Sequence, residues 1–359
     1  MSSQPLRAIG LMSGTSLDGV DAAWLETNGE TITRFGPAAT LHYQDDFRAE
    51  LRQLLNLAPG LGPDAPLVQK LERLLTIDHA IAAGLLGVAA DVIGFHGQTI
   101  LHAPEQYRTW QIGDGKLLAK ICRTPVVYDF RSADVAAGGQ GAPLAPLFHA
   151  ALAEKLEKPL LVVNIGGVAN VTYLGDGAQI FACDSGPGNG PLDDLAQKFL
   201  GQPYDKDGAL AASGRVDKAR LSRLFAHPYF ALPAPKSLDR LTFSQWIADA
   251  TETLPPGDAA ATLAAFCTTA IARVPLPAPP LRVLVCGGGR KNKVLMAGLA
   301  ARFAAPVEPV EAVGWDGDAL EAQCFAYLAV RSLRGLPLSM PGTTGVAAPT
   351  CGGVLASIS

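Results

Sequence analysis

A chain of 359 residues is long enough for about two domains at roughly 150 residues each, each with a core of its own. With 48% hydrophobic and 17% charged residues and a mean hydropathy of +0.21, disorder of the bulk is excluded. The balance of 29 Lys and Arg against 33 Asp and Glu, net −4, excludes the basic field that a nucleic-acid partner requires, and six cysteines without a CxxC pair exclude a zinc knuckle or disulfide framework.

Residues 1–7 lack the apolar core of a signal peptide, so the expected location is the cytoplasm. A short apolar run at 6–12 stops at a polar, glycine-containing turn, and 20–26 resumes with apolar and polar residues interleaved. Asn28-Gly29 tolerates the positive φ of a tight hairpin turn, and 31–35 supplies a third strand, which predicts an antiparallel meander. Segments 46–57 and 66–89 carry helical periodicity, with Leu67, Leu71, Leu74 and Leu75 as the stripe. The most apolar window, 80–95, is broken by Asp91 and Gly94 and falls short of the ~20 residues of a membrane span, so no membrane is expected. A strand at 91–95 runs into the polar loop His96-Gly97-Gln98-Thr99, and a strand at 126–128 ends at Asp129-Phe130-Arg131; loops after strand ends are the usual ligand contacts of layered α/β proteins.

A second glycine-linked series follows: strand 161–165, turn Gly166-Gly167, strand 169–174, turn Gly175-Asp176-Gly177, strand 178–183. It echoes the opening meander and is read as an internal duplication. Helical patterns at 192–200, 259–273, 293–303 and 319–333, and a strand at 282–286 before Gly287-Gly288-Gly289, make the second half mixed α/β as well. Pro- and Gly-rich stretches at 201–214, 228–235 and 275–280 are read as loops. The expected boundary lies near Tyr128, giving domains 1–128, with the tail 349–359 as a candidate completion, and 129–348, packed around a cleft.

Three loops carry candidate chemistry. Gly14-Thr15-Ser16-Leu17-Asp18-Gly19-Val20-Asp21 combines glycines, hydroxyls and carboxylates between two strands, a composition suited to amides wrapping a phosphate while Asp18 or Asp21 holds a metal or its water; an Asp/Gly hairpin turn uses the same residues. It is neither a P-loop nor a dinucleotide fingerprint. Asp184-Ser185-Gly186-Pro187-Gly188-Asn189 presents a carboxylate at a strand end, a general base or a helix cap. Gly287-Gly288-Gly289 with Asn292 permits close approach of a nucleotide or merely a tight turn. Phosphoryl transfer needs phosphate-binding loops, a carboxylate-held metal and a base, and all three are represented.

The opening Ile9-Gly10-Leu11-Met12-Ser13-Gly14-Thr15-Ser16-Leu17-Asp18-Gly19-Val20-Asp21 resembles the signature of the anhydro-N-acetylmuramic acid kinase family. Further matches run the full length in order: Gly94-Phe95-His96-Gly97-Gln98-Thr99, Trp110-Gln111-Ile112-Gly113, Asp129-Phe130-Arg131-Ser132-Ala133-Asp134, Gln140-Gly141-Ala142-Pro143-Leu144, Asn164-Ile165-Gly166-Gly167-Val168-Ala169-Asn170, the Asp184 segment, Cys286-Gly287-Gly288-Gly289-Arg290-Lys291-Asn292 and Glu321-Ala322. The resemblance implies two duplicated ribonuclease-H-like, actin-like ATPase domains around a central ATP and substrate cleft, a homodimer, and a small amino-sugar substrate. The implied reaction uses ATP and Mg²⁺: water opens the 1,6-anhydro ring and O6 is phosphorylated, giving N-acetylmuramate 6-phosphate in cell-wall recycling. It implies Asp184 as the base, residues 14–21 with Gly166, Gly167, Asn170, Gly186, Gly188, Gly287, Gly288 and Asn292 around ATP, and Ser13, His96, Gly97, Gln98, Arg131 and Glu321 around the sugar. Two rival expectations are a kinase of the same fold acting on a simple sugar hydroxyl and an ATP-driven switch without an acceptor.

Overall fold

The computed structural model describes residues 4–14, 16–239 and 242–358. The chain forms two compact units, Met1–Glu154 with Ala319–Ser359, and Lys155–Asp318.

In the first unit β1 (Leu6–Ser13), β2 (Gly19–Thr27) and β3 (Ile32–His42) form an antiparallel meander. β4 (Val92–Ala103) adds parallel to β1, β5 (Arg108–Ile112) folds back antiparallel on β4, and β6 (Val126–Tyr128) lies parallel to β4. The strand Val354–Ala356 pairs antiparallel with β6 and closes that edge. Strand alternation sends Ala22 and Trp24 toward Leu71 and Leu75 of the helix Pro66–Leu85, and Ala23 toward Ala322 on the opposite face. There the helix Leu320–Leu333 lies directly on the sheet because two strand positions have no side chain. A Cβ at Gly10 would stand 1.7 Å from the Ala322 carbonyl oxygen, and one at Gly94 would stand 2.0 Å from that of Phe325.

In the second unit β7 (Leu160–Ile165), β8 (Val168–Leu174) and β9 (Ile180–Pro187) form the antiparallel meander. β10 (Arg282–Cys286) adds parallel to β7, and β11 (Val307–Pro309) parallel to β10. The helix Pro256–Ala272 shares a core with the sheet through Phe266, Val163, Val171 and Val285. In each unit the first strand is flanked by the second and then the third on one side, and on the other by the parallel fourth and then a further parallel strand, β6 in the first unit and β11 in the second. That is the ribonuclease-H-like plan laid down twice, so the duplicated α/β fold is borne out.

Four expectations change. The stretch from His96 to Thr99 is not a loop but lies within β4, which continues to Ala103 because β5 pairs with it; the backbone irregularity sits at Gly97, whose φ is +71°. Residues 184–187 belong to β9 rather than to a loop after it, since β8 pairs with them up to Pro187. β3 runs on from 35 to His42, held by β2. The boundary near Tyr128 moves to 154, and residues 319–348 belong with the first unit: Phe148 packs 5.6 Å from Tyr327, and Asp134 is hydrogen-bonded to Ser339 and Thr344. Among the described residues no helix is long and apolar enough to cross a membrane, and Cys122, Cys183, Cys267, Cys286, Cys324 and Cys351 are free thiols.

Candidate functional site

Between β1 and β2 of the first unit the chain turns through residues 14–18. Thr15 lies outside the described residues. Leu17 adopts φ +56° and donates its amide to the Gly14 carbonyl at 3.2 Å, while its side chain is buried in the core with that of Val20. The turn is pinned by these apolar anchors and presents Gly14, Ser16 and Asp18 outward; the Ser16 hydroxyl donates to Asp18 Oδ1 at 2.6 Å. Gly19 is packed, since a Cβ there would meet the Leu41 carbonyl oxygen at 2.3 Å. Asp21 points from β2 and accepts from Thr40 Oγ1 at 2.6 Å. Ser13 and Gln98 are interior: Tyr43 donates to Ser13 Oγ at 2.8 Å, and Ser13 donates to Gln98 Oε1 at 2.6 Å, which ties the end of β1 to β4. Burial pushes the Tyr43 phenol above its usual range and keeps it a donor.

His96, on β4, is 4% exposed. Its Nδ1–H donates to the Gly97 carbonyl at 2.8 Å, leaving Nε2 to accept from Arg131 Nε at 3.2 Å and Nη2 at 3.0 Å. Burial, and then the Arg131 charge, hold the imidazole well below its ordinary range, so it stays a neutral acceptor. Arg131 Nη1 donates to the Gly141 carbonyl at 2.7 Å, and that segment is itself clamped: buried Asp134 accepts from the Gly141 amide at 2.6 Å, from Thr344 Oγ1 at 2.6 Å and from Ser339 Oγ. Phe325 packs 4.5 Å from the His96 ring, and Glu321 stands exposed one turn earlier on the same helix. The buried Cys324 thiol is pushed up by burial and by Glu321, with Arg131 opposing, so both charges act on one neighbourhood. A cavity of about 250 Å³ opens beside His96 and Gly97, lined among others by Trp110, Gln111, Asp129 and Ser132. His96, Gly97, Arg131 and Glu321 are thereby gathered in one unit.

The second unit holds Asp184 on β9, 6% exposed and opposite Asn170 of β8. Its Oδ2 accepts from the Leu238 amide at 2.7 Å, its amide donates to the Lys236 carbonyl at 2.9 Å, and its carbonyl accepts from Tyr229 Oη at 2.7 Å. The adjacent Cys183 thiol is pushed up to about 12 by burial and the Asp184 charge, which keeps it protonated and inert near neutral pH. The glycine turns converge at one sheet end: the Gly166 carbonyl accepts from the Asn189 amide at 2.8 Å, and that of Gly167 from the Gly188 amide at 3.0 Å. Gly287, at φ +75°, lies so close to Asn164 that a Cβ would stand 2.3 Å from Oδ1, whereas a Cβ at Gly288 would meet nothing within 4 Å. Gly186 instead faces the helix Pro256–Ala272, with Ala270 Cβ 3.1 Å from its would-be side chain, and Asn292 caps the helix Lys293–Ala300 by accepting the Val294 and Leu295 amides at 3.0 and 3.2 Å.

Several supporting residues carry no sequence signal of their own. Asp134 and Arg290 lie inside matched motifs, and buried Arg290 donates to the Gly287 carbonyl at 2.9 Å while paired with Glu311 and Asp318. Tyr229, Lys236 and Leu238 lie in or beside a proline-rich stretch that reads as an ordinary loop.

The family described as anhydro-N-acetylmuramic acid kinase matches residues 6–357. The chain is similar to the protein of that name from Acidiphilium cryptum, 67% identical over 97% of each chain, and to that from Gluconobacter oxydans, 54% identical over 96% of this chain and 98% of the other. A solved ROK family glucokinase from Streptomyces griseus, in complex with glucose and AMPPNP, aligns over 90% of this chain and 99% of its own at 14% identity with a TM-score of 0.43; the topology above rests on the strand registers instead. Matched along nearly its whole length, the chain belongs to the anhydro-N-acetylmuramic acid kinase family, a family of phosphotransferases.

Proposed function

We propose that this kinase opens the 1,6-anhydro ring of 1,6-anhydro-N-acetylmuramic acid with water and transfers the γ-phosphoryl group of ATP to O6, giving N-acetylmuramate 6-phosphate and ADP. The observation that carries the reading is Asp184: a carboxylate 6% exposed, with Oδ2 held at 2.7 Å by a backbone amide, in a chain of this family. Asp184 takes a proton from water as its oxygen bonds to the anomeric carbon; the anhydro C–O bond breaks, O6 keeps the electron pair and attacks the γ-phosphorus, and ADP leaves. Arg131, presented by neutral His96 and the Gly141 carbonyl, and Glu321 orient the sugar. Gly14 and Ser16 are the first unit's candidates for contact with the nucleotide phosphates, and the open Gly288 is the second unit's own candidate.

The residues fit Mg²⁺ held largely by water: Asp18 is an exposed carboxylate beside that turn, and among the described residues no three His, Cys, Asp or Glu side chains form a dedicated cage. Bound there by Asp18, the ion would neutralise charge on the phosphates. The test is mass spectrometry of the product formed from Mg·ATP and the anhydro sugar in ¹⁸O-labelled water, quenched before anomeric exchange. A sugar phosphate with ¹⁸O on the anomeric hydroxyl is expected; unlabelled product, or phosphorylation of a simple hexosamine with none of the anhydro sugar, overturns the reading.

A further inference from the structure

The carboxylate on β9 is held by a segment that belongs to no strand of the sheet. Residues 227–238 run back past β9, making three hydrogen bonds to Asp184 alone: Leu238 amide to Oδ2 at 2.7 Å, Asp184 amide to the Lys236 carbonyl at 2.9 Å, and Tyr229 hydroxyl to the Asp184 carbonyl at 2.7 Å. One bond fixes the side-chain torsion and the other two fix the peptide on either side of it. The segment is anchored in turn. Leu238, Tyr229 and Phe243 are core residues, His227 lies 4.2 Å from the Phe243 ring, and its Nδ1 accepts the Tyr229 amide at 3.1 Å. Lys236 lies 4.2 Å over the Tyr229 ring and donates to the Tyr229 and Leu232 carbonyls at 2.9 and 3.2 Å, closing the segment on itself.

We infer that Tyr229 and Lys236 are positioning residues for the Asp184 base: they hold residues 229–238 as a clamp that fixes the carboxylate in one orientation before substrate arrives. The inference rests on the reading of Asp184 as the base. The chemistry of the clamp suits the task. Burial and the neighbouring Asp184 charge raise the Tyr229 phenol above its usual range, so it stays a donor throughout the working pH range. Lys236 closes the segment by donating to the Tyr229 and Leu232 carbonyls. Proton abstraction is sensitive to displacements of about 1 Å, so loosening the clamp lowers turnover more than it lowers binding.

The experiment compares steady-state kinetics of the full-length wild type, Tyr229→Phe, Lys236→Met, Lys236→Arg and Asp184→Asn with Mg·ATP and the anhydro sugar, alongside melting temperatures. Tyr229→Phe keeps the ring and its packing and removes only the hydroxyl. The expected result is a kcat about tenfold lower with both KM values within about twofold of wild type, an unchanged melting temperature, a comparable loss in Lys236→Met and recovery in Lys236→Arg. A Tyr229→Phe kcat within twofold of wild type while Asp184→Asn is inert overturns the clamp and leaves the base in place. Losses of kcat, both KM values and melting temperature together make the segment structural only and also overturn it. An active Asp184→Asn overturns the base reading itself.

Discussion

The two polar clusters, His96 with Arg131 in the first unit and Asp184 in the second, solve one problem with opposite charges. Each buries an ionisable group on a strand that begins with apolar residues; His96 is held by the next residue's carbonyl and by the Arg131 guanidinium, Asp184 by the amide of the distant Leu238. In the first cluster the imidazole is kept neutral, which makes it an acceptor for a guanidinium that would otherwise repel it. In the second, a backbone amide supplies the hydrogen bond that a buried carboxylate requires. The lesson is that a half-buried cation is held by a neutral imidazole and a carbonyl, whereas a buried carboxylate is held by a backbone amide.

Removing the carboxylate breaks that contrast most severely. Asp184→Asn is expected to lower kcat by roughly 10³-fold or more, at the upper end of general-base effects, while calorimetry finds ADP affinity within a few fold. Packing beneath the first cluster comes next. Gly10→Ala forces a Cβ against the Ala322 carbonyl and is expected to cost about 3 kcal/mol in urea unfolding, whereas Gly288→Ala, with open space around it, is expected to stay within about 0.5 kcal/mol. Equal costs would show that the helix Leu320–Leu333 yields more readily than the geometry allows.

Arg131→Met is expected to raise the sugar KM by roughly 10- to 100-fold, the worth of one or two charged hydrogen bonds, with the ATP KM unchanged; a pure kcat effect would erase the division of labour between the clusters. The smallest effect is one of pH. Burial holds His79 and His149 down to about 4, so the unfolded chain binds more protons than the native one below the ordinary imidazole range. Stability should be level above about pH 6.5 and should fall toward pH 4 by roughly 1.4 kcal/mol per pH unit for each imidazole while it titrates. Guanidinium unfolding at several pH values checks it, and His149→Leu should show a shallower fall.

Much of the fold was legible because strand and helix periods are local. The β10 strand was placed at its observed ends, Arg282–Cys286, and the helix Leu320–Leu333 within a residue. The strand continuations through His96–Thr99 and residues 184–187 were not legible, since polar residues and glycines there suggest loops until β5 and β8 pair with them. Within the candidate site, motif order brought Asp184, Arg131 and the glycine turns forward, but it could not separate Gly288, which is open, from Gly186, which faces Ala270 Cβ, or from Asn292, which caps a helix.

The sequence by itself determined the duplicated α/β class, the apolar cores and the family, because hydrophobic period, turn chemistry and ordered motifs are carried by residues close together in the chain. The tertiary structure decided which unit owns residues 319–348, which glycines serve close packing, that His96 is neutral, and that residues 229–238 embrace Asp184. Each depends on a neighbour tens to hundreds of residues away, and only folding creates the burial and hydrogen-bond geometry that give such a residue its role.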